Sequence, residues 1–141
     1  MPATVPKYAQ FQHEHSKIWS AEIAKYDAYV LIISEYNCGL AGGTKNALDY
    51  LWNEWTGKPV IILSYGSAGG SLASAQLKGL LDMAKAQVVE PRVQLPFAEA
   101  GGEYGPIMAE GKISDKSRAK WEGMFGEITK AANELKALLS K

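Results

Sequence analysis

Two short apolar runs, each followed by a glycine-rich loop and then by an amphipathic helix, constrain the fold of this 141-residue chain. Both runs, Ala28–Ile33 and Val60–Leu63, are continuous rather than alternating, as in strands that are buried on both faces of a parallel sheet. Parallel strands need crossover connections, and these are right-handed. The pattern therefore predicts an α/β fold, with a doubly wound parallel sheet between layers of helices.

The remaining segments predict further helices and one more strand. Apolar side chains recur at helical spacing in four segments, namely His13–Lys25, Thr44–Trp55, a helix with Ser71 as its N-cap, and a C-terminal helix capped by Ser114 or Ser117 that carries Trp121, Met124, Phe125, Ile128, Ala132, Leu135 and Leu139. A third, shorter strand is predicted at Gln87–Glu90. Three prolines and four glycines between Pro91 and Ile113 predict a surface loop without regular structure.

Composition limits the classes of function. The fifteen basic and fifteen acidic residues cancel and form no block, which argues against binding nucleic acid or a membrane surface. The single cysteine, Cys38, excludes an internal disulfide and suits a reducing compartment, so cytoplasmic localisation is expected. No apolar run approaches the ~20 residues that span a bilayer. The length suits one domain over residues 1–141.

The two glycine-rich loops, Ser34–Gly43 and Ser64–Gly70, both follow the carboxyl end of a predicted strand. Ligands of open parallel sheets bind beyond this edge, and glycine lets backbone N–H groups approach a ligand closely. Each loop alone could be no more than a tight strand-to-helix connection. Neither loop matches the dinucleotide, P-loop or nucleophile-elbow motifs, so Rossmann, P-loop and serine hydrolase functions are not indicated.

The loops and their flanks contain two motifs. The first is Ser34-Glu35-Tyr36-Asn37, followed by the helix start Thr44-Lys45-Asn46-Ala47-Leu48-Asp49-Tyr50-Leu51. The second is the turn Gly57-Lys58-Pro59, followed after the strand by Gly66-Ser67-Ala68-Gly69-Gly70. Over Asp27–Phe97 the chain thereby resembles the flavodoxin-like NAD(P)H-dependent FMN reductases. It departs from their usual pattern at two positions of the first motif: Ser34 stands where the family usually has proline, and Thr44 stands where leucine is common.

The resemblance implies an FMN-dependent NAD(P)H oxidoreductase. A hydride would pass from the nicotinamide to the flavin and on to a quinone or flavin acceptor, with no catalytic side chain and no metal ligand. A homo-oligomer is also implied. Tyr36 and Asn37 would lie against the flavin ring, and backbone amides of both loops would bind its pyrimidine edge. The implied cofactor-binding residues are Glu35, Tyr36, Asn37, Cys38, Gly39, Ser64, Tyr65, Gly66, Ser67, Gly69 and Gly70.

Members of the family begin with a strand, a phosphate-binding loop, a helix and a second strand, and no such segments precede Ala28 here. We therefore expect a truncated three-layer αβα fold in which the strand Ala28–Ile33 has an open edge. FMN affinity is expected to be weakened or lost, since each charge-assisted hydrogen bond to the phosphate is worth ~1.5 to 3 kcal/mol. One alternative is a non-catalytic remnant or interaction module that pairs with a partner through this strand edge. Another is that the sequence is an incomplete version of an ordinary reductase. Enzymatic activity is thus left open.

Two other features have plain interpretations. His13 and His15 flank Glu14, but side chains at positions i and i+2 of a helix point to different sides, so a metal site is not indicated. Cys38 has no basic neighbour in the sequence that would activate its thiol, and it is expected to take no part in the chemistry.

Overall fold

A computed structural model describes residues 5–8, 10–98 and 110–140 of the chain. The described residues form five α-helices and five strands, in the order α1 (Glu14–Ala24), β1 (Tyr29–Tyr36), β2 (Gly39–Leu40), α2 (Gly42–Asp49), β3 (Pro59–Gly66), α3 (Ser71–Met83), β4 (Gln87–Val88), β5 (Val93–Pro96), α4 (Asp115–Glu122) and α5 (Phe125–Leu139). Short 3-10 helices lie at Pro6–Tyr8 and Asn53–Trp55. None of the described helices is long and apolar enough to cross a membrane.

The sheet is built around β3. This strand pairs in parallel with β1 on one side and with both β4 and β5 on the other. The register of β1 and β3 runs from Tyr29 opposite Val60 to Ser34 opposite Tyr65. The two-residue strand β2 turns back and pairs antiparallel with the end of β1. The predicted α/β class with a mostly parallel sheet is therefore confirmed.

Helices cover both faces of this sheet, which gives the predicted three layers. One face packs against α1, α2 and α3 around the fully buried side chains of Trp55 and Leu77. The other face packs against α4 and α5, where Ile61, Leu63 and Ala131 are buried together. Burial of such apolar side chains from both sides is what a continuous, non-alternating strand sequence requires.

Strand β1 is covered on one face only. Tyr29 and Ile33 are buried beneath α1–α3, whereas Val30 and Ile32, on the opposite face, are 52% and 67% exposed. Their neighbours on β3 are buried beneath α5. Within the described part of the chain, Tyr29–Ser34 pairs with β3 alone, and its other edge is open among those residues.

The segment after β4 differs from the prediction. Val93–Pro96 is a strand, although Pro91–Ile113 was expected to lack regular structure. The interruption lies at Pro91, which has no N–H to donate to a sheet. Beyond it the chain returns to the same edge of β3 and buries alternate residues, Val93 and Leu95. Residues 99–109 of the predicted loop lie outside the described residues.

Three helix boundaries also differ. The second helix was predicted to run to Trp55 but ends at Asp49, and a 3-10 turn then buries the Trp55 side chain. The N-cap of α3 is Gly70 rather than Ser71, and its left-handed backbone offers no side-chain cap. The predicted C-terminal helix is two helices separated at Gly123 and Met124.

The prediction for the C-terminal helix was partly right. Ser114 caps α4 as predicted, because its hydroxyl accepts a hydrogen bond from the Ser117 N–H. The side chains of Phe125 and Leu139 were expected on the buried face, but they are 61% and 47% exposed. The buried face runs instead through Trp121, Met124, Ile128, Ala131, Leu135 and Leu138, and Phe125 and Leu139 lie beside it.

Candidate functional site

The carboxyl ends of β1, β3 and β5 meet at one edge of the sheet. Ser34 lies opposite Tyr65, and Gly66 lies opposite Pro96. The first predicted loop, Ser34–Gly43, contains the end of β1 and strand β2, and from here on the first loop means Glu35–Gly39. This loop and the second loop, Ser64–Gly70, therefore face the same edge, as the sequence predicted. The candidate site consists of these two loops.

The first loop is a tight hairpin between β1 and β2. Asn37 and Cys38 have φ values of 49° and 61°, so both central residues are left-handed, as in a type I′ turn. Asparagine tolerates this region, whereas cysteine rarely adopts it. The turn leaves the side chain of Tyr36 65% exposed and the side chains of Asn37 and Cys38 exposed.

The second loop is fixed by close packing against β3. Gly69 and Gly70 have φ values of 72° and 70°. A Cβ atom at Gly70 would lie 2.9 Å from the Ser64 Cβ and from the backbone N and O of Tyr65, so only glycine fits. The buried Ser64 hydroxyl donates a hydrogen bond to the carbonyl oxygen of Gly69 at 2.7 Å. These contacts fix the shape of the loop.

Side chains connect the first loop to helix α3. The Glu35 carboxylate accepts hydrogen bonds from the backbone N–H of Leu72 at 2.8 Å and of Ala73 at 3.1 Å. Beyond the turn, the Leu40 N–H donates to the Gln76 Oε1 at 3.0 Å. Strand alternation places Glu35 on the α3 face of the sheet and Tyr36 on the other. The carboxylate of Glu35 thus contacts the protein rather than pointing out of the loop.

Four backbone N–H groups of the two loops point to no acceptor within the described residues. They belong to Asn37 and Cys38 in the first loop and to Ser67 and Ala68 in the second. All four residues are exposed. Backbone N–H donors beside glycine residues can bind the oxygen and nitrogen acceptors of a planar ligand edge. The pyrimidine edge of an isoalloxazine carries such acceptors, so the residues present fit a flavin ring.

An aromatic cluster borders the second loop. The Tyr65 ring lies 6.1 Å from the Trp121 ring, which stacks on Phe97 at a centroid distance of 5.9 Å. The indole N–H of Trp121 donates to the Pro96 carbonyl oxygen at 2.9 Å and so ties α4 to the end of β5. Sequence reasoning assigned Trp121 only to a core stripe, and nothing in its local pattern indicates this position beside the site.

The histidine pair and the cleft beside it lie away from both loops. The His13 and His15 rings stack 5.6 Å apart, so the prediction that they point to different sides is wrong, because His13 precedes the first residue of α1. A cleft of about 230 Å³ between α1 and α2 is lined by His15, Ser16, Trp19, Asn46, Ala47 and Tyr50. Among the described residues, no three His, Cys, Asp or Glu side chains are grouped to hold a metal ion.

Comparison with known proteins places this geometry in a family. Residues 2–100 match the sequence profile of the NADPH-dependent FMN reductases. The chain is 49% identical to the NAD(P)H-dependent FMN reductase ntnL of Nectria sp, over all of this chain and 71% of that protein. It is 32% identical to a quinone reductase of Pseudomonas putida KT2440, over 78% of this chain and 61% of that protein.

A solved structure shows the same fold. FerB, a flavoenzyme NAD(P)H:(acceptor) oxidoreductase from Paracoccus denitrificans, superposes with a TM-score of 0.59 at 26% identity, over 92% of this chain and 68% of FerB. The chain thus spans about two thirds of the length of these proteins. The matched profile includes both loops and all of β1 to β5. With its flavodoxin-like sheet, the chain belongs to the family of NADPH-dependent FMN reductases, which are FMN-dependent NAD(P)H oxidoreductases.

Proposed function

We propose that this chain forms the ring-binding half of an FMN site and that the protein transfers electrons from NAD(P)H to a quinone. Family membership supports the use of FMN and NAD(P)H. The name of the Pseudomonas relative, a quinone reductase, supports the acceptor class. The chemistry that bound FMN would supply is the transfer of two electrons from NAD(P)H, as a hydride, to the acceptor.

The residues of the chain bind and orient the ring rather than react. The N–H groups of Asn37 and Cys38 on one side, and of Ser67 and Ala68 on the other, donate to its pyrimidine edge. Fixed donors at this edge favour the negative charge that gathers there when the ring is reduced, and they need no reorganisation. The exposed ring of Tyr36 packs beside the isoalloxazine and excludes water from that side.

One observation carries this proposal: two loops from neighbouring parallel strands present N–H donors at the same sheet edge. A single glycine loop would be a common connection, but here the hairpin turn and the second loop are held together through α3. The exposed thiol of Cys38 lies in the turn, and its backbone rather than its sulfur is assigned to the cofactor. An exposed free thiol suits the reducing cytosol, which we propose as the location.

We expect the purified chain to bind FMN saturably, and Tyr36→Ala to weaken binding about tenfold, since a lost aromatic contact of about 1.4 kcal/mol corresponds to that factor. Quenching of flavin fluorescence measures the dissociation constant. Tyr8→Ala is the matched control, because Tyr8 is 73% exposed and its 3-10 helix is tied to Asn53, before the start of β3. The control should bind FMN like the wild type.

Riboflavin, which lacks the phosphate, separates ring binding from phosphate binding in the same assay. Equal affinities for riboflavin and FMN would mean that the phosphate contributes nothing to binding by this chain. A clear preference for FMN would show that a phosphate site exists as well. An absence of saturable binding up to about a millimolar, where the binding free energy is only ~4 kcal/mol, would refute the proposed function for this chain.

The open edge of β1 favours a second candidate role, an interaction module in which two copies pair through this strand. Tyr29–Ser34 contains no charged residue, and Val30 and Ile32 are exposed. Charged side chains are a common protection of edge strands against pairing, and none is present here. Antiparallel pairing about a two-fold axis would satisfy the free backbone groups of both copies at once. This role is compatible with the flavin site, which lies at the end of the strand.

Ile32→Lys is expected to abolish this self-association. Ile32 lies near the middle of the open edge, so a two-fold axis brings the two new ammonium groups close together, and like charges across a strand pair are destabilising. Sedimentation velocity over a range of concentrations measures the mass. Ile18→Lys, on the exposed face of α1, is the control because Ile18 is 60% exposed. The same mass for the wild type and both variants would contradict pairing through β1.

A further inference from the structure

We propose that Glu35 is a positioning residue for the flavin ring, because its side chain sets the distance between the two loops that bind the pyrimidine edge. This inference rests on the proposed function but concerns a role that backbone binding alone does not include. Glu35 was predicted from the resemblance as one of eleven cofactor-binding residues, without a task for its carboxylate. The structure assigns that carboxylate to α3.

The amino end of α3 lacks a cap of its own. Its N-cap residue is Gly70, which has no side chain, and its first helical residue is Ser71. The N–H groups in the first turn of a helix have no acceptor within the helix and need one from elsewhere. The Glu35 carboxylate supplies it to the second and third helical residues, at 2.8 and 3.1 Å. A carboxylate is also favoured there by the helix dipole.

The capping residue is on β1, 37 and 38 residues before the two residues whose N–H groups it binds. The hydrogen bonds therefore do more than cap a helix, because they tie the last part of β1 to the first turn of the helix that directly follows the second loop. The side chain of Glu35 also packs closely on Gly66 of the second loop, where an added Cβ atom would lie 3.3 Å from the Glu35 Cβ. Glu35 thus touches the second loop and the helix that follows it.

The hairpin has a second attachment to the same helix. Gln76 accepts from the N–H of Leu40, which lies in β2 directly across from Glu35. Both strands of the hairpin are therefore fastened to α3, one on each side of the turn. Because Gly70, the last residue of the second loop, is the N-cap of α3, the helix is attached to both loops. The N–H groups of Asn37 and Cys38 are consequently held at a fixed distance from those of Ser67 and Ala68.

A residue that only caps the helix and a residue that positions the loops differ in how their loss affects the bound flavin. Loss of a cap lowers the folded fraction, but saturating flavin then binds in the same geometry and gives the same spectrum. Loss of positioning changes the geometry of the bound ring itself. Visible circular dichroism of the flavin at saturation distinguishes the two, because it reports the asymmetric surroundings of the ring and not the fraction of chain that is folded.

Glu35→Ala is expected to weaken FMN binding about tenfold, the effect of losing a helix cap that also sets the loops. The visible circular dichroism of the bound flavin should change at saturation. Glu35→Gln keeps an oxygen in the same place that can accept both N–H groups, and it should stay within about threefold of the wild type. Glu134→Ala, an exposed glutamate on α5, is the control for loss of one carboxylate and should leave both measurements unchanged.

NMR relaxation of the turn amides in the flavin-free chain tests the same role without the cofactor. In the wild type, Asn37 and Cys38 should be as ordered as β1, and in Glu35→Ala they should become mobile. Should Glu35→Ala fail to fold, Glu35→Asp replaces it, since the shorter side chain keeps the charge but withdraws from the two N–H groups.

The two proposals fail separately. If the wild type binds no flavin but its turn loses order in Glu35→Ala, the FMN site is refuted and the attachment of the hairpin by Glu35 stands. If the wild type binds FMN and Glu35→Ala matches it in affinity, flavin spectrum and turn order, the positioning role is overturned. A loss of folded chain in Glu35→Ala with an unchanged bound spectrum would also overturn it, because a cap alone then suffices.

Discussion

Gly70→Ala is expected to lower the free energy of unfolding by about 3 kcal/mol, because the added Cβ atom is strained and crowded at this position. The residue has a φ of 70°, a backbone conformation that costs an L-residue about 1 to 2 kcal/mol. The new Cβ would also lie 2.9 Å from the backbone N and O of Tyr65. Tyr65 is on β3, which is paired on both sides, so its backbone cannot move away. Urea denaturation measures the loss.

Gly79→Ala is the matched control for this prediction. Gly79 lies in the middle of α3, the same helix that Gly70 precedes, and a Cβ atom there would meet nothing within 4 Å. Alanine at this position should raise stability by about 0.5 to 1 kcal/mol, since it has the higher helix propensity. The same substitution nine residues apart should therefore have opposite signs. Equal effects at both glycines would mean that the second loop is not packed against β3 as described.

The two strands nearest the site could be predicted from sequence for a physical reason. Parallel strands buried on both faces need apolar side chains at every position, and such short runs stand out from the longer period of helices. β1 and β3 were found in this way, and the glycines that follow each run indicated loops close to a ligand. The candidate site could therefore be placed at one sheet edge from the sequence.

Other elements could not be predicted because their cause lies far away in the sequence. Leu48, Leu51 and Trp55 have helical spacing, but the chain reaches the same burial through a 3-10 turn after Asp49. Periodicity alone cannot distinguish one long helix from a shorter helix followed by a 3-10 turn. In the same way, β5 has only two buried residues and follows a proline, so its pairing with β3 decides its structure.

The role of Glu35 shows the same limit at the site. A glutamate at the end of a strand has no local signal for capping a helix that begins more than thirty residues later. Its role follows from the alternation of β1 together with the approach of α3, and the second of these is a tertiary fact. Sequence resemblance included Glu35 in the site, but only the hydrogen bonds indicate what its carboxylate does.

Trp55→Ala is expected to cost about 3 to 5 kcal/mol of unfolding free energy, as for other large aromatic side chains removed from a core. Trp55 is 1% exposed and packs edge-to-face on Tyr29 at a centroid distance of 5.0 Å. It lies before β3, at the opposite end of the strand from the second loop. Thermal and urea unfolding measure the loss, and flavin affinity of the chain that remains folded should be unchanged.

Trp55→Phe should stay within about 1 kcal/mol of the wild type, because two effects oppose each other. The smaller ring leaves a cavity, which is unfavourable. However, the indole N–H of Trp55 has no hydrogen-bond partner among the described residues, and a buried donor without a partner costs about 1 to 3 kcal/mol. Phenylalanine removes that donor and keeps the aromatic contact with Tyr29. If Trp55→Phe were as destabilising as Trp55→Ala, the indole N–H would have to be satisfied in the folded protein, and the ring packing alone could not account for this position.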